Sequence, residues 1–550
     1  MKLLKTSMPS ELENPSQASR QRHRESSEVA RFAGIVGLAV MVSRIFGLVR
    51  EQVFAAFFGA SMGYDAFLIA FRIPNLLRSL FSEGALSAAF VSVFSQYLTQ
   101  KGEAAAWRLA NLVLNALVLI LVPVVIVGIL FSHHLVDWIA PGFRAIPGKS
   151  DLAASMTGIM FPYILLVSLA TVAMGILNAK DRFGVPASAS TFFNVGSVTA
   201  GLAFAYAIDP HFGGGAIVGM AIGTLVGGLL QFAIQLPSAS RVGYRYRLIF
   251  DFTDPGFRQI MRLMGPAVIG TAAVQINVLV NSIFASYLGN GPVSWLAYAF
   301  RFMQFPIGVF GVAIGTATLP VISRAAARNQ MAEFRRTLAS SVGMVFLFCI
   351  PSAFGLAVLG EPIVSLIYQR GHFTPADTHQ TAAALAFYAA GLAGYAAIKV
   401  LAPAFYALND ARTPMIVSVV SILINYVLNA TLVEKFGHRG LALATSGVAL
   451  ANFLAPFVLM RQKIGRIEGR RILESLWKIL LASFTMAVVC WIVYSRVSPL
   501  TRPGLGGQLA NALIPIMAGA VTFFLLARFL AVPDLESAQR ALLGRFSRRR

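Results

Sequence analysis

Acidic residues are scarce in this chain: 23 Asp and Glu stand against 45 Lys and Arg in 550 residues. Charged residues of both signs make up only 12% of it. Cysteine is scarcer still. Cys349 and Cys490 both fall in apolar stretches, which excludes a disulfide-stapled fold and provides no metal-ligand spacing, so both are expected to fill core. No Walker A sequence occurs, which excludes ATP hydrolysis by a P-loop. The seven histidines and scattered serines lack any nucleophile–base spacing. His133 and His134, beside Asp137 and Trp138, read as a membrane-interface group and not as a metal site. An integral membrane enzyme would need acidic metal ligands or a nucleophilic histidine set, and neither is present.

Apolar residues fill the space that charge leaves. With 57% hydrophobic residues and a mean hydropathy of +0.71, the chain reads as a polytopic membrane protein. Fourteen spans are expected, centred near 31–57, 64–98, 106–132, 153–178, 187–208, 214–236, 264–288, 293–323, 337–359, 379–407, 414–432, 439–460, 473–494 and 508–530. The second and eighth exceed the roughly 20 residues that cross the hydrocarbon. Pro74 and Pro306 lie within them, so bent helices are expected there.

The +22 formal charge does not point to nucleic acid, because the basic residues flank apolar spans. Lys101, Arg108, Lys180, Arg182, Arg241, Arg245, Arg247 and Arg324 to Arg336 fall in one set of alternate connections. Gly59–Gly63, Asp209–Gly215 and Gly289–Pro292 on the opposite side carry no Lys or Arg. The positive-inside rule makes the basic side cytoplasmic and puts both termini there, with anionic membrane lipids as neighbours.

Two segments repeat. FAAFFGASMGYDAFLIAFR (54–72) and FASYLGNGPVSWLAYAFR (284–301) share a Phe-Ala start, a turn glycine (Gly59, Gly289) and a closing Ala-Phe-Arg. A weaker echo pairs Leu177-Asn178…Arg182…Pro186 with Leu408-Asn409…Arg412…Pro414. Six spans per repeat is an even number, so the halves share an orientation, related by an axis along the membrane normal. The expected fold is an all-α polytopic membrane protein of about 14 helices: two six-helix lobes in a parallel pseudo-twofold repeat, plus two extra C-terminal helices. The expected boundaries are a disordered tail over 1–28, an N-lobe over 29–240, a C-lobe over 241–465, the extra pair over 466–532 and a basic tail over 533–550.

The costly residues are arginines inside the spans. Each costs roughly 2.5–3.5 kcal/mol at mid-bilayer on insertion scales and needs a cavity, partner or ligand. Arg44 and Glu51 share a helix face, with Arg50 about 120° round. Asp65, Arg72 and Ser79 line another stripe, and Asn75 and Arg78 a neighbouring one, close to Glu83. Arg72 reads equally as interfacial or as cavity-lining. Gln275, Asn277, Asn281, Ser294, Arg301 and Gln304 add polar groups, the amides chiefly as helix–helix partners. Arg301 occupies the repeat position of Arg72 and is expected to face it across the cleft. Lys399 in the tenth span reads as snorkelling, counter-ion or ligand contact alike. Glu361, Arg370, His372 and Asp377 read as solvated in an outer loop. Arginine suits a diphosphate, since its planar fork donates paired hydrogen bonds and stays charged. An anionic cargo follows.

The chain resembles the MurJ (MviN) family, the lipid II flippases within the multidrug/oligosaccharidyl-lipid/polysaccharide exporter superfamily. The resemblance rests on Ser43-Arg44-Ile45-Phe46-Gly47-Leu48-Val49-Arg50, Asp65-Ala66-Phe67, Arg72-Ile73-Pro74-Asn75-Leu76-Leu77-Arg78 and Phe81-Ser82-Glu83-Gly84-Ala85. Val293-Ser294-Trp295, Phe305-Pro306-Ile307-Gly308 and Lys399-Val400-Leu401-Ala402-Pro403 continue it, over about residues 30–530. It implies export of undecaprenyl-diphosphate-linked disaccharide pentapeptide across the bacterial inner membrane by alternating access, for peptidoglycan and cell-wall biogenesis and cell shape. Arg44, Arg50, Asp65, Asn75, Arg78, Ser294 and Arg301 match positions in or around the family's cationic cavity. Arg72, Glu83, Gln304 and Lys399 are secondary candidates. The resemblance implies a lipid-tail groove for spans thirteen and fourteen, and other cell-wall synthesis proteins as partners. No cofactor or metal is expected from the residues, and without a Walker A sequence any uphill drive is expected from an ion gradient, the membrane potential or downstream consumption. Phe300 and Gln304 stand where some relatives carry acids, so a gating role for those acids is not carried over. The alternatives are an exporter of another polyprenyl-linked oligosaccharide and a cation-coupled drug antiporter.

Overall fold

Helices account for every regular element among the described residues of the computed structural model, which are 38–39, 41–79, 86–465, 467–502 and 504–536. In chain order they are α1 (41–58), α2 (Met62–Arg78), α3 (Ser87–Gln100), α4 (Gly102–Leu130), α5 (Ser132–Ile139), α6 (Lys149–Met160), α7 (Tyr163–Ala179), α8 (Gly184–Ile208), α9 (Ile217–Ala233) and α10 (Leu236–Arg241). The second half holds α11 (Pro255–Ser286), α12 (Pro292–Pro306), α13 (Ala313–Ala327), α14 (Met331–Val358), α15 (Gly360–Tyr368), α16 (Pro375–Ala389), α17 (Leu392–Ala407), α18 (Arg412–Phe436) and α19 (His438–Ile464). Then come α20 (Gly469–Val497) and α21 (Leu505–Phe529). Ten helices among the described residues are long and apolar enough to cross a membrane, and the bent pair α16–α17 makes an eleventh. Helices also occupy the three remaining expected spans, as α1, α2–α3 and α11.

Helices α1–α9 correspond in order to α11–α19, down to the short helices α5 and α15, and α10 has no counterpart among the described residues. Left-handed backbone recurs at matching turns: Gly59 and Gly289, Gly102 and Asn329, Gly148 and Gly371, Asp181 and Asn409, Phe212 and Gly437. This corrects the register of the weaker echo. Asp181 and Asn409, both at φ 57°, are the equivalent residues, and Arg182 N and Asp410 N donate back to Leu177 O and Phe405 O alike. The equivalence is one of backbone turn: side-chain matching displaced the Leu-Asn pair by three residues and the arginine by two, while Pro186 and Pro414 were already in register.

The long spans break differently from expectation. Pro74 lies inside α2, which runs on to Arg78, while Pro306 ends α12 and a π-helical stretch, Ile307–Val312, links it to α13. The tail expected over 1–28 and the candidate Glu83 lie outside the described residues. Part of the expected C-terminal tail is packed: Asp534 is buried and accepts from Ser475 Oγ at 2.7 Å, against Gly343 of α14. Cys349 and Cys490 are free and buried, as core-filling residues should be.

Small residues let α8 and α9 pack backbone to backbone. Gly219, Gly223 and Gly227 line one face of α9 and lie against Ala205, Gly201 and Phe193 of α8. A Cβ on Gly223 would sit 2.4 Å from Gly201 Cα. Gly223→Leu should therefore separate the pair and cost about 1–3 kcal/mol, read as a lower melting temperature in detergent. An unchanged melting temperature would contradict this packing.

Candidate functional site

At one end of the bundle the two halves are joined by a carboxylate. Asp65 lies in the first turn of α2, fully buried. Its Oδ1 accepts from Ser294 N at 2.8 Å and Ser294 Oγ at 2.6 Å, and its Oδ2 from Gly291 N at 2.7 Å and Lys149 Nζ at 2.9 Å. The N-cap residue of α12 is Gly291, which has no side chain to cap with. Asp65 supplies the cap from the other half, meeting orphan N–H groups and the positive end of the helix together. Asp65 and Ser294 each stand seven residues before the repeat arginines Arg72 and Arg301. Repeat-equivalent residues can touch only at the pseudo-twofold axis, so this contact marks it.

Two further contacts close the same end. His372 N donates to Ala56 O at 2.8 Å, and Gly59 and Gly371 let these backbones meet, since a Cβ on Gly371 would lie 2.1 Å from Ala56 O. Gly142 N donates to Ser286 Oγ at 3.1 Å. The outer-loop residues thus do more than the expected solvation. Asp377 completes the capping box of α16 and accepts from Trp295 Nε1 at 2.9 Å, and Arg370 caps Leu366 O and Ile367 O.

Deeper in the bundle the arginines meet around Glu51. This side chain of α1 is buried and accepts from Arg301 at 2.7 Å, Arg50 at 3.2 Å and the Tyr64 hydroxyl at 3.1 Å. It neutralises one cation but touches two. Arg301 keeps 49% of its side chain exposed. Arg50 lies over the Phe193 ring at 5.4 Å, and its Nε is buried without a partner. Arg44 is exposed, has no ion pair among the described residues and points at Gly308 in the π-helical stretch. Gln304 and Lys399 are likewise exposed.

The other candidates separate. Asn75 Oδ1 accepts from Arg78 Nε at 3.0 Å, an i,i+3 pair within α2. Arg72 does not pair with Arg301. It donates to Ser282 Oγ at 2.9 Å and Val278 O at 3.4 Å on α11. Each repeat arginine therefore reaches the first long helix of the opposite half, and only Arg301 finds an acid there. Asn277 and Asn281 bond Ser421 and Thr445, which is the helix–helix role. Phe300 packs on the Tyr388 ring, 5.5 Å away. Asp65 and Ser294 are fully buried at the closed end, apart from the exposed Arg44, Gln304 and Lys399.

Sequence reasoning missed Lys149, which it left in the connection before the fourth span. The available signal was its side: Lys149 sits among outer connections that otherwise hold few basic residues. It also gave Glu51 no central role, because only the fold brings Arg301 to it. Among the described residues, no group of three His, Cys, Asp or Glu could hold a metal ion. Glu51→Gln should leave Arg50 and Arg301 in mutual repulsion and cost about 1–3 kcal/mol, seen as a lower melting temperature that added diphosphate raises again. A melting temperature equal to the parent's would contradict the hub.

The family model described as "Lipid II flippase MurJ" matches residues 54–504. The Lipid II flippase MurJ of Burkholderia cenocepacia is 36% identical over 427 residues, covering 77% of this chain and 82% of that protein. The solved structure titled "Lipid II flippase MurJ, inward closed conformation" superposes with a TM-score of 0.73 at 27% identity, over 90% of this chain and 99% of that one. An inward-facing multidrug resistance MATE family transporter of the MOP superfamily shares the fold, with a TM-score of 0.65 at 14% identity over 80% and 99% of the two chains. With a family model covering most of its length, and the buried cap of Asp65 and Ser294 within the matched segment, the chain belongs to the MurJ family of lipid II flippases.

Proposed function

We propose that this protein moves lipid II, the undecaprenyl-diphosphate-linked peptidoglycan precursor, from the inner to the outer leaflet of the bacterial inner membrane by alternating access. The observation that carries the reading is the uncompensated cation at the centre of the bundle. Arg44 has no ion pair among the described residues, Arg50 has an unpartnered Nε, and Arg301 shares Glu51 with Arg50. A diphosphate supplies the missing charge, and guanidinium forks suit its oxygens.

Arg44, Arg50 and Arg301 capture the diphosphate, with Arg78, Asn75, Gln304 and Lys399 around the sugar and peptide. Asp65 and Ser294 act on the path instead of on the ligand, as the seal between the halves. The basic connections face the cytoplasm, so both termini lie there and the sealed end faces out. The six-helix lobes over 29–240 and 241–465 rock about the pseudo-twofold axis while the polyprenyl tail stays in lipid. The α20–α21 pair, within 466–532, lines the groove for that tail. Substrate charge lowers the cost of enclosing the arginines, so loaded protein prefers a different state from empty protein. With no P-loop in the sequence, the drive comes from the membrane potential or an ion gradient. Other cell-wall synthesis proteins consume the delivered precursor outside.

Arg44→Glu and Arg50→Glu should each abolish flipping, leaving protein level and membrane insertion unchanged. The measurement is leaflet-resolved labelling of lipid II in cells that depend on this protein. Parent-level lipid II in the outer leaflet of either variant would refute the assignment of these arginines.

A further inference from the structure

Lys149 is the one lysine or arginine in the fully buried class among the described residues. Its ammonium donates to Asp65 Oδ2 at 2.9 Å, Gly289 O at 3.0 Å and Asn290 Oδ1 at 2.9 Å, which uses all three protons. The Phe143 ring lies 4.2 Å away. Its backbone position is unfavourable for a cation. Lys149 is the first residue of α6, whose N-cap is Gly148 with no side-chain cap, so its charge sits at the positive end of its own helix. Only tertiary partners can hold it there.

Those partners divide unequally between the halves. α6 packs on α2, so Lys149 and Asp65 belong to the same half. Gly289, Asn290, Gly291 and Ser294 belong to the other. Separation of the halves at this end breaks the bonds to the turn and to the start of α12, yet leaves the Lys149–Asp65 ion pair whole. A bare carboxylate entering a dry contact would have to shed its water with only N–H and O–H donors in return. A pair enters already neutralised.

We propose that Lys149 is the positioning and charge-compensating residue of the outer seal: it keeps Asp65 neutralised within its own half, so that closure brings a neutral pair, and not a naked anion, onto the end of α12. This rests on the rocking motion proposed above, but it concerns the closed–open balance and not the cargo. Removing the ammonium weakens the closed state more than the open one, because water substitutes for it only in the open state. Removing both charges relieves that penalty.

The test is the distance distribution between spin labels on Gly214→Cys and Ala376→Cys, in nanodiscs, with Cys349 and Cys490 replaced by alanine. Both labelled positions are exposed at the sealed end, one in each half. Lys149→Met should raise the ratio of the long to the short distance by about tenfold or more. Lys149→Gln, which keeps donors for the turn carbonyls but not the charge, should shift it in the same direction. Asp65→Asn/Lys149→Met should lie closer to the parent than Lys149→Met does, a coupling that mere loss of packing would not give. Should Lys149→Met fail to fold, Lys149→Gln and the double variant decide. Unshifted distributions in the lysine variants, with a parent that samples both distances, overturn the role of Lys149 alone. A single short distance in the parent and in every variant, with and without lipid II, overturns both this role and the rocking reading.

Discussion

A single buried carboxylate determines how the halves meet. Asp65 is the helix cap that α12 lacks, supplied from across the pseudo-twofold axis, with Lys149 to balance its charge. The bond is strong when dry and replaceable when wet, because each acceptor and donor in it finds water once the halves part. It therefore differs from the apolar packing between α8 and α9, which has no reason to open. The glycine contacts at Ala56, Gly59, Gly371 and His372 lie at the same end and add backbone fit to the charge pairing.

Behind that seal the balance of charge reverses. Glu51 is one acid against Arg50 and Arg301, so the centre is positive on balance in the absence of cargo. Symmetry accounts for how it is built. Arg72 and Arg301 make the same crossing to the opposite half, and the difference between their destinations, Ser282 for one and Glu51 for the other, turns a structural crossing into a charged hub. An anion bound there completes what Glu51 leaves unfinished. The seal and the hub are linked through α2 and α12, each of which carries a residue of both sites.

Much of the fold was legible because hydropathy and loop charge report it directly. The fourteen spans and the shared orientation of the halves follow from patterns that depend on the solvent, not on tertiary detail. The repeat was visible in Ala-Phe-Arg, although the Leu-Asn and arginine pairings of its weaker part were misregistered, since the equivalence between Asp181 and Asn409 is one of backbone conformation. The site was only partly legible. Arg44, Arg50 and Arg301 announced themselves by their cost in an apolar span. Asp65 and Ser294 were read as lining the cavity, and their bonding to each other as a helix cap was not foreseen, because a polar side chain looks the same in sequence whether it faces a vestibule or caps a distant helix. Lys149 and the hub role of Glu51 were missed for a related reason: the partners that define them, Asp65 for Lys149 and Arg301 for Glu51, are 84 and 250 residues away, and no local spacing encodes them.

The central claim is that these embedded guanidinium groups hold the diphosphate of the cargo. The most direct measurement is a cryo-EM structure of the protein in nanodiscs with lipid II bound. The account predicts diphosphate density within hydrogen-bond reach of Arg44, Arg50 and Arg301, with the polyprenyl chain leaving toward α20 and α21. Diphosphate density away from all three arginines, with Arg50 and Arg301 still paired only to Glu51, would contradict it.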